Sequence, residues 1–331
     1  MKTDPVAATD LTRSVISVPP LARRPDLALE DAENGKLLAH MRAGGVSTFM
    51  YGGNANLYHM GVSEFGQLLE MLQRIAAPGD WMIPSVGSDF GKAMDQVALA
   101  KDQPFPTVMV LPHRFPVTTK GIATGLRRLA DAYGKPIIAY VKDHDYVDAA
   151  DLGRLVDDGA VVAVKYGTVR ENPADDAYLG AIVDAVGADR VISGIGERPA
   201  ITHWTRFGLR AFTSGAVCIA PALSTSILRA LQAGDVAAAG TIRSQFLPFE
   251  DLRDAHSPLR VLHEGVRLAG IAETGPMQPL LSGPLSRITP PRAAFASSLR
   301  VSHCAWSARR SSGWPRPTRA PSRSRSATNT A

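Results

Sequence analysis

Ala160-Val-Val-Ala-Val-Lys165-Tyr-Gly-Thr168 sets five small or β-branched apolar residues directly before a lysine. A run this short and this uniformly apolar reads as a strand buried on both faces of a parallel sheet. The lysine is the anomaly, because an ammonium leaves water only at a cost unless it is paired or neutralised. One route is to give up the proton: a desolvated lysine has a depressed pKa, and its neutral amine can attack a carbonyl to form a Schiff base. Usage sharpens the point, since the chain has only eight lysines among its 36 basic residues and none after Lys165. A structural lysine that snorkels to the sheet edge fits the same stretch. The neighbouring elements have to decide.

Working outward, apolar runs fall at 14–18, 46–51, 81–86, 107–111, 136–141, 160–165, 190–193 and 211–213. Amphipathic stretches separate or follow them at 29–42, 63–76, 91–101, 120–133, 149–158, 173–186, 198–207 and 221–233. This alternation predicts a parallel α/β fold. Eight strand–helix units, about 25 to 35 residues apart, fit a (β/α)8 TIM barrel. An open doubly wound sheet would carry a Gly-rich nucleotide fingerprint after its first strand, and the sequence has none there. Two further helical stretches, 236–245 and 249–269, extend the pattern. The predicted organisation is a barrel with the catalytic site over 1–233, a C-terminal helical appendage over 234–282, and a disordered tail over 283–331.

The composition allows a sizeable core, with 45% hydrophobic and 20% charged residues over 331 positions. Cys218 and Cys304 are too few and too far apart for a disulfide or metal framework, which suits a reducing cytoplasm. The first twenty residues lack a leader pattern, and no stretch approaches the roughly 18 apolar residues of a membrane span. The net charge of +5 is uneven: nine arginines and no Lys, Asp or Glu follow from Thr274 onward, so 5 − 9 leaves 1–273 at −4. The body therefore carries no electrostatic case for a nucleic-acid partner. The Ser/Arg/Pro-rich tail reads either as a basic extension or as translation of a shifted frame, and it is assigned no function.

In barrels of this kind the reacting groups gather at the C-terminal ends of strands. After the second strand comes Tyr51-Gly-Gly-Asn-Ala-Asn-Leu-Tyr58, where Gly53 frees the backbone to turn its N–H groups toward an anion, with Asn54 and Asn56 as side-chain donors. A simple turn explains the same residues. Arg114, after the fourth strand, suits bidentate binding of a carboxylate, or a surface position. Tyr140 ends the fifth strand, where an inward hydroxyl would relay protons to a substrate held by the next strand's lysine; a satisfied core tyrosine is the alternative. Gly194 lies in a tight turn after the seventh strand, suited to phosphate or to close approach of an intermediate. Two rivals stand beside this set. His59, His113, His144 and His203, with Asp143 and Asp145, follow strand ends and suggest a divalent metal, although none has close ligand spacing. Lys142 is a second amine near Tyr140, expected to be solvated and hence protonated.

With Tyr140 and Lys165 on consecutive strands, the Gly-Gly loop, Ile-Ser-Gly194 and the Ser-Gly loop after the eighth strand, residues 12–282 resemble the dihydrodipicolinate synthase/N-acetylneuraminate lyase family. The resemblance implies a (β/α)8 barrel with a helical cap, assembled as a homotetramer or dimer. It implies class I lyase or aldolase chemistry on pyruvate or another 2-oxo acid, with an aldehyde as second partner. No cofactor is needed beyond the lysine Schiff base. The family's lysine and tyrosine fall on Lys165 and Tyr140. The chain departs from the family pattern elsewhere: the relay threonine falls on Gly53, the paired tyrosines on His113 and Arg114, and the arginine after the strand-five tyrosine near Asp145. Outside this reading stand a metal-dependent barrel lyase or hydrolase and a non-catalytic small-molecule-binding barrel. Activity that survives Lys165→Ala and is lost to a chelator would mark the first, and binding without imine formation the second.

Overall fold

A computed structural model describes residues 1–281. A short helix α1 (Ala8–Thr12) leads into β1 (Ile16–Ser17), α2 (Asp31–Ala43), β2 (Thr48–Tyr51), α3 (Val62–Ile75), β3 (Trp81–Val86) and α4 (Phe90–Ala100). There follow β4 (Met109–Val110), α5 (Thr119–Tyr133), β5 (Ile137–Val141), α6 (Ala149–Asp157), β6 (Val161–Tyr166) and α7 (Ala177–Val186). The barrel ends with β7 (Val191–Ser193), α8 (Glu197–Phe207), β8 (Ala211–Ser214) and α9 (Pro221–Gln232). Each strand pairs in parallel with the next, and β8 returns to β1 with Ile16 opposite Thr213, so the sheet closes as the predicted (β/α)8 TIM barrel.

Local chemistry explains the alternation. Every residue of β6 is buried, as expected where a strand packs on the barrel interior and on helices. Helix α5 buries Ile122, Leu126, Leu129 and Tyr133 along one stripe, starts where the Thr118 side chain accepts from Gly121 N, and stops at Gly134 with φ +72. Two predicted strands shrink: β1 and β4 keep two ladder residues each, because the stagger of a closed barrel limits how far neighbours overlap. The stretch read as helix from 173 begins only at Ala177, where the Asp176 carboxylate accepts from Leu179 N at 3.1 Å and caps the first turn.

After the barrel, α10 (Val236–Ser244), α11 (Leu247–His256) and α12 (Pro258–Leu268) form the C-terminal helices. The single stretch expected over 249–269 is two helices, broken at Ser257 with φ −178 and ψ 121. Pro258 is the cause: a following proline pushes the preceding residue out of helical space, and proline itself suits the first helical position. The break lets α11 lie across the loops that follow β7 and β8, with Glu250 beside Gly196 and Arg253 beside Gly215. The tail read over 283–331 lies outside the described residues.

Candidate active site

Lys165 and Tyr140 sit directly opposite each other in the β5–β6 register, so both side chains leave the sheet on the same face. The ammonium nitrogen of Lys165 lies 3.5 Å from the centroid of the Tyr140 ring, and the lysine is only 5% exposed. Burial pushes its pKa down from 10.5 to about 7, and the positive charges of Lys142 and Arg253 add to the push. The ring face works the other way by favouring the cation. The neutral amine nevertheless holds a large share at neutral pH. Burial also raises the Tyr140 phenol well above its usual range, with Tyr58 and Asp143 contributing, so this hydroxyl keeps its proton. Gly167 makes the pocket for that ring: a Cβ there would stand 2.7 Å from Tyr140 Cε2.

Helix α11 contributes two charged residues that sequence reading missed. Arg253 is 9% exposed and donates from Nη1 to Glu250 Oε1 at 2.8 Å. Glu250 is itself buried and approaches Glu197, the first residue of α8. Glu197 is fully buried; its Oε1 accepts from the hydroxyls of Ser214 and of Ser224, the latter at 2.6 Å. Burial and then the charge of Glu250 raise its pKa from the ordinary 4.5. In the sequence, Glu250 and Arg253 form an i,i+3 pair on an amphipathic helix, the usual mark of a solvated face. Nothing in that spacing announces that the pair turns inward.

The other expected residues are placed unevenly. Asn54 lies at the mouth, where its Nδ2 donates to Val18 O at 2.9 Å. The N–H groups of Gly53, Asn54 and Ala55 donate to no backbone carbonyl among the described residues. Asn56 takes a left-handed φ of +56 and donates from Nδ2 to Gln278 Oε1 at 3.2 Å, so its side chain is committed to the C-terminal segment. Arg114 is an exposed rim residue 3.9 Å from Asp143, close enough to act on Tyr58, Tyr140 and Lys142 through its charge. Gly194 packs against the end of β6: its N–H donates to Tyr166 O at 2.6 Å, and a Cβ there would meet Lys165 Cγ at 3.1 Å. It clears space for the lysine. Lys142 is exposed at the rim.

The four histidines do not converge. His203 is buried against Ser193 behind the sheet, His113 is buried with Nδ1 on Ser88 O, His144 pairs with Asp145, and His59 is exposed. Among the described residues no group of three or more His, Cys, Asp or Glu side chains is arranged to hold a metal ion. No described helix is long and apolar enough to cross a membrane.

Comparison with known proteins bears on this geometry. The model of the dihydrodipicolinate synthetase family matches residues 20–287. Among curated proteins, a probable 5-dehydro-4-deoxyglucarate dehydratase 2 of Streptomyces coelicolor is 22% identical over 279 residues, covering 83% of this chain and 85% of its own. A probable 5-dehydro-4-deoxyglucarate dehydratase of Cereibacter sphaeroides is 29% identical over 205 residues, 59% of this chain and 64% of its own. Among solved structures, dihydrodipicolinate synthase of Oceanobacillus iheyensis superposes with a TM-score of 0.78 at 19% identity, covering 89% of this chain and 98% of its own. The sialic acid aldolase of Ruminococcus gnavus gives 0.77 at 14% identity, covering 90% and 99%. The solved structures share this chain's (β/α)8 barrel fold.

Proposed function

The chain belongs to the dihydrodipicolinate synthetase family, and from that premise we propose that it is a Schiff-base lyase acting on a 2-oxo acid, with loss of water as its reaction. The observation that carries the proposal is Lys165: a buried amine with a pKa of about 7, ending a barrel strand against the ring of Tyr140. The dehydratase names of the relatives favour elimination over condensation. They point to a sugar acid with a ketone next to a carboxylate, a methylene beside the ketone and a hydroxyl beyond it.

Neutral Lys165 attacks the ketone carbon, and the carbinolamine expels water to leave an iminium. The positive nitrogen acidifies the neighbouring methylene, which loses a proton to give an enamine. The enamine nitrogen then pushes its lone pair back to re-form the iminium, and the enamine π electrons make a double bond to the next carbon as the hydroxyl there departs with a proton as water. Hydrolysis of the unsaturated iminium releases the product and restores the amine. Tyr140, held protonated, is the proton carrier within reach, and the N–H groups of the Gly53–Asn54 loop receive the carboxylate. The chemistry needs no cofactor.

Borohydride reduction in the presence of pyruvate tests the class. The expected result is a stable adduct on the peptide containing Lys165, absent from Lys165→Arg. A folded protein that gives no adduct with pyruvate or with longer 2-oxo acids would overturn the proposal. Tyr140→Phe is expected to keep forming the adduct while turnover falls about 10²- to 10⁴-fold, the usual loss when a positioned proton carrier is removed. Unchanged turnover would remove Tyr140 from the proton path.

A further inference from the structure

We propose that Arg253, carried across the barrel mouth by α11, holds the carboxylate of the 2-oxo acid against the Gly53–Asn54 loop. This rests on the Schiff-base reading of Lys165. In a 2-oxo acid the carboxylate is bonded to the carbon that the lysine attacks, so the cation that reads it must stand near Lys165. Three cations act on this region: Arg114, Lys142 and Arg253. Arg114 and Lys142 are exposed at the rim, where water competes for every hydrogen bond they make. Arg253 alone of the three is buried.

Its orientation is built in. Nη1 donates to Glu250 Oε1 at 2.8 Å and Nε to Pro258 O at 3.4 Å, which fixes the guanidinium plane. Nη2 is turned to the other side, toward Gly215 and Asn54. A Cβ on Gly215 would stand 3.0 Å from Arg253 Nη2 and 3.1 Å from Asn54 Nδ2, so the bare glycine lets the two donors come together. Beside them are the N–H groups of Gly53, Asn54 and Ala55, which have no backbone acceptor among the described residues. The loop Gly52-Gly-Asn-Ala-Asn56 offers no hydroxyl to assist. Arg253 Nη2 and the Asn54 side-chain amide therefore meet beside Gly215, next to a loop whose N–H groups have no backbone acceptor among the described residues, a set of donors suited to a carboxylate.

The charge has a second consequence. With the mouth empty, the positive Arg253 disfavours an ammonium on Lys165 and so favours the attacking amine. A carboxylate seated on Arg253 cancels that charge, and the iminium cation then forms without facing it. The same residue therefore favours the amine before binding and tolerates the cation after it.

Pyruvate and methyl pyruvate, which differ by the carboxylate charge, separate this role from a structural one. In borohydride trapping, the wild-type protein is expected to half-saturate with pyruvate at a concentration about 10- to 100-fold lower than with the ester, the factor for one charged hydrogen-bonded pair. Arg253→Met should lose that preference while still forming the ester adduct, which shows that the barrel is folded and its lysine reactive. Arg253→Lys should recover part of the preference, and it carries the test if Arg253→Met does not fold. Gly215→Val, which displaces Nη2 from outside, should weaken pyruvate more than the ester. An Arg253→Met protein that keeps the wild-type preference would overturn the assignment, as would a wild-type protein that traps both compounds equally. A wild-type protein that traps neither brings down the Schiff-base reading itself and this assignment with it.

Discussion

Between about pH 7 and 10.5 the folded chain holds Lys165 as an amine while the unfolded chain holds it as an ammonium. The unfolded state then binds the extra proton, so stability rises with pH across this window. Below about 7 the folded protein carries the full penalty of a buried ammonium, offset in part by the Tyr140 ring. Lys165→Met removes the titrating group and keeps an apolar stem of similar length. Its melting temperature should exceed that of the wild type at pH 6 to 7, with the difference shrinking toward pH 10. A variant less stable than the wild type at pH 6 would mean that the lysine is a structural partner. Reactivity follows the same titration: amidination of Lys165, followed by peptide mass, should rise through about pH 7 and level off, whereas an exposed lysine keeps rising toward 10.4. This residue and its partner were legible in the sequence because each ends an apolar run, and strand pairing in a barrel sets consecutive strand ends side by side.

Helices α8, α9 and α11 meet over a carboxyl pair that no strand pattern revealed. Glu197 is the first residue of α8, Ser224 comes from α9, Glu250 and Arg253 come from α11, Ser214 ends β8 and Cys218 follows it. A raised carboxyl pKa means that the folded state holds a proton the unfolded chain has lost. Its contribution to stability is therefore full below about 4.5 and is lost as pH climbs through the raised value. Glu197→Gln keeps an oxygen to accept from both serines and cannot ionise. Melting temperatures of variant and wild type should agree near pH 4 and separate in favour of the variant toward pH 8. Equal slopes would show that Glu197 ionises as it does in water. The sequence hid this cluster because helix periodicity reports which side of a helix is apolar, while α11 turns the charged Glu250 and Arg253 inward over the loops after β7 and β8. The break at Ser257 that aims the helix does have a local signal in Pro258, and the apolar period running through 249–269 outweighed it.

The whole molecule is closed by more than its sheet. Residues 271–281 run back across the barrel: Thr274 donates to His263 O at 3.1 Å, Gln278 donates to His59 O at 3.2 Å, and Asn56 donates to Gln278. Gly275 packs so tightly on the backbone of Arg23 that no side chain fits there. This segment therefore ties α12, the loop before α2 and the left-handed Asn56 together, and through Asn56 it sets the loop proposed to receive the carboxylate. The matched family region ends at 287, and the nine arginines that make the chain basic start there and continue beyond it. A chain stopped at 287 should keep the full-length melting temperature within a few degrees and keep its half-saturating pyruvate concentration in borohydride trapping. A chain stopped at 270 loses the Asn56–Gln278–His59 hydrogen bonds and the Gly275 contact. It should melt lower and, where still folded, need more pyruvate for the same adduct, because the loop N–H groups are no longer held in place. Equal behaviour of the two shortened chains would show that the loop is fixed by its own turn, and that the closing segment plays no part in the site.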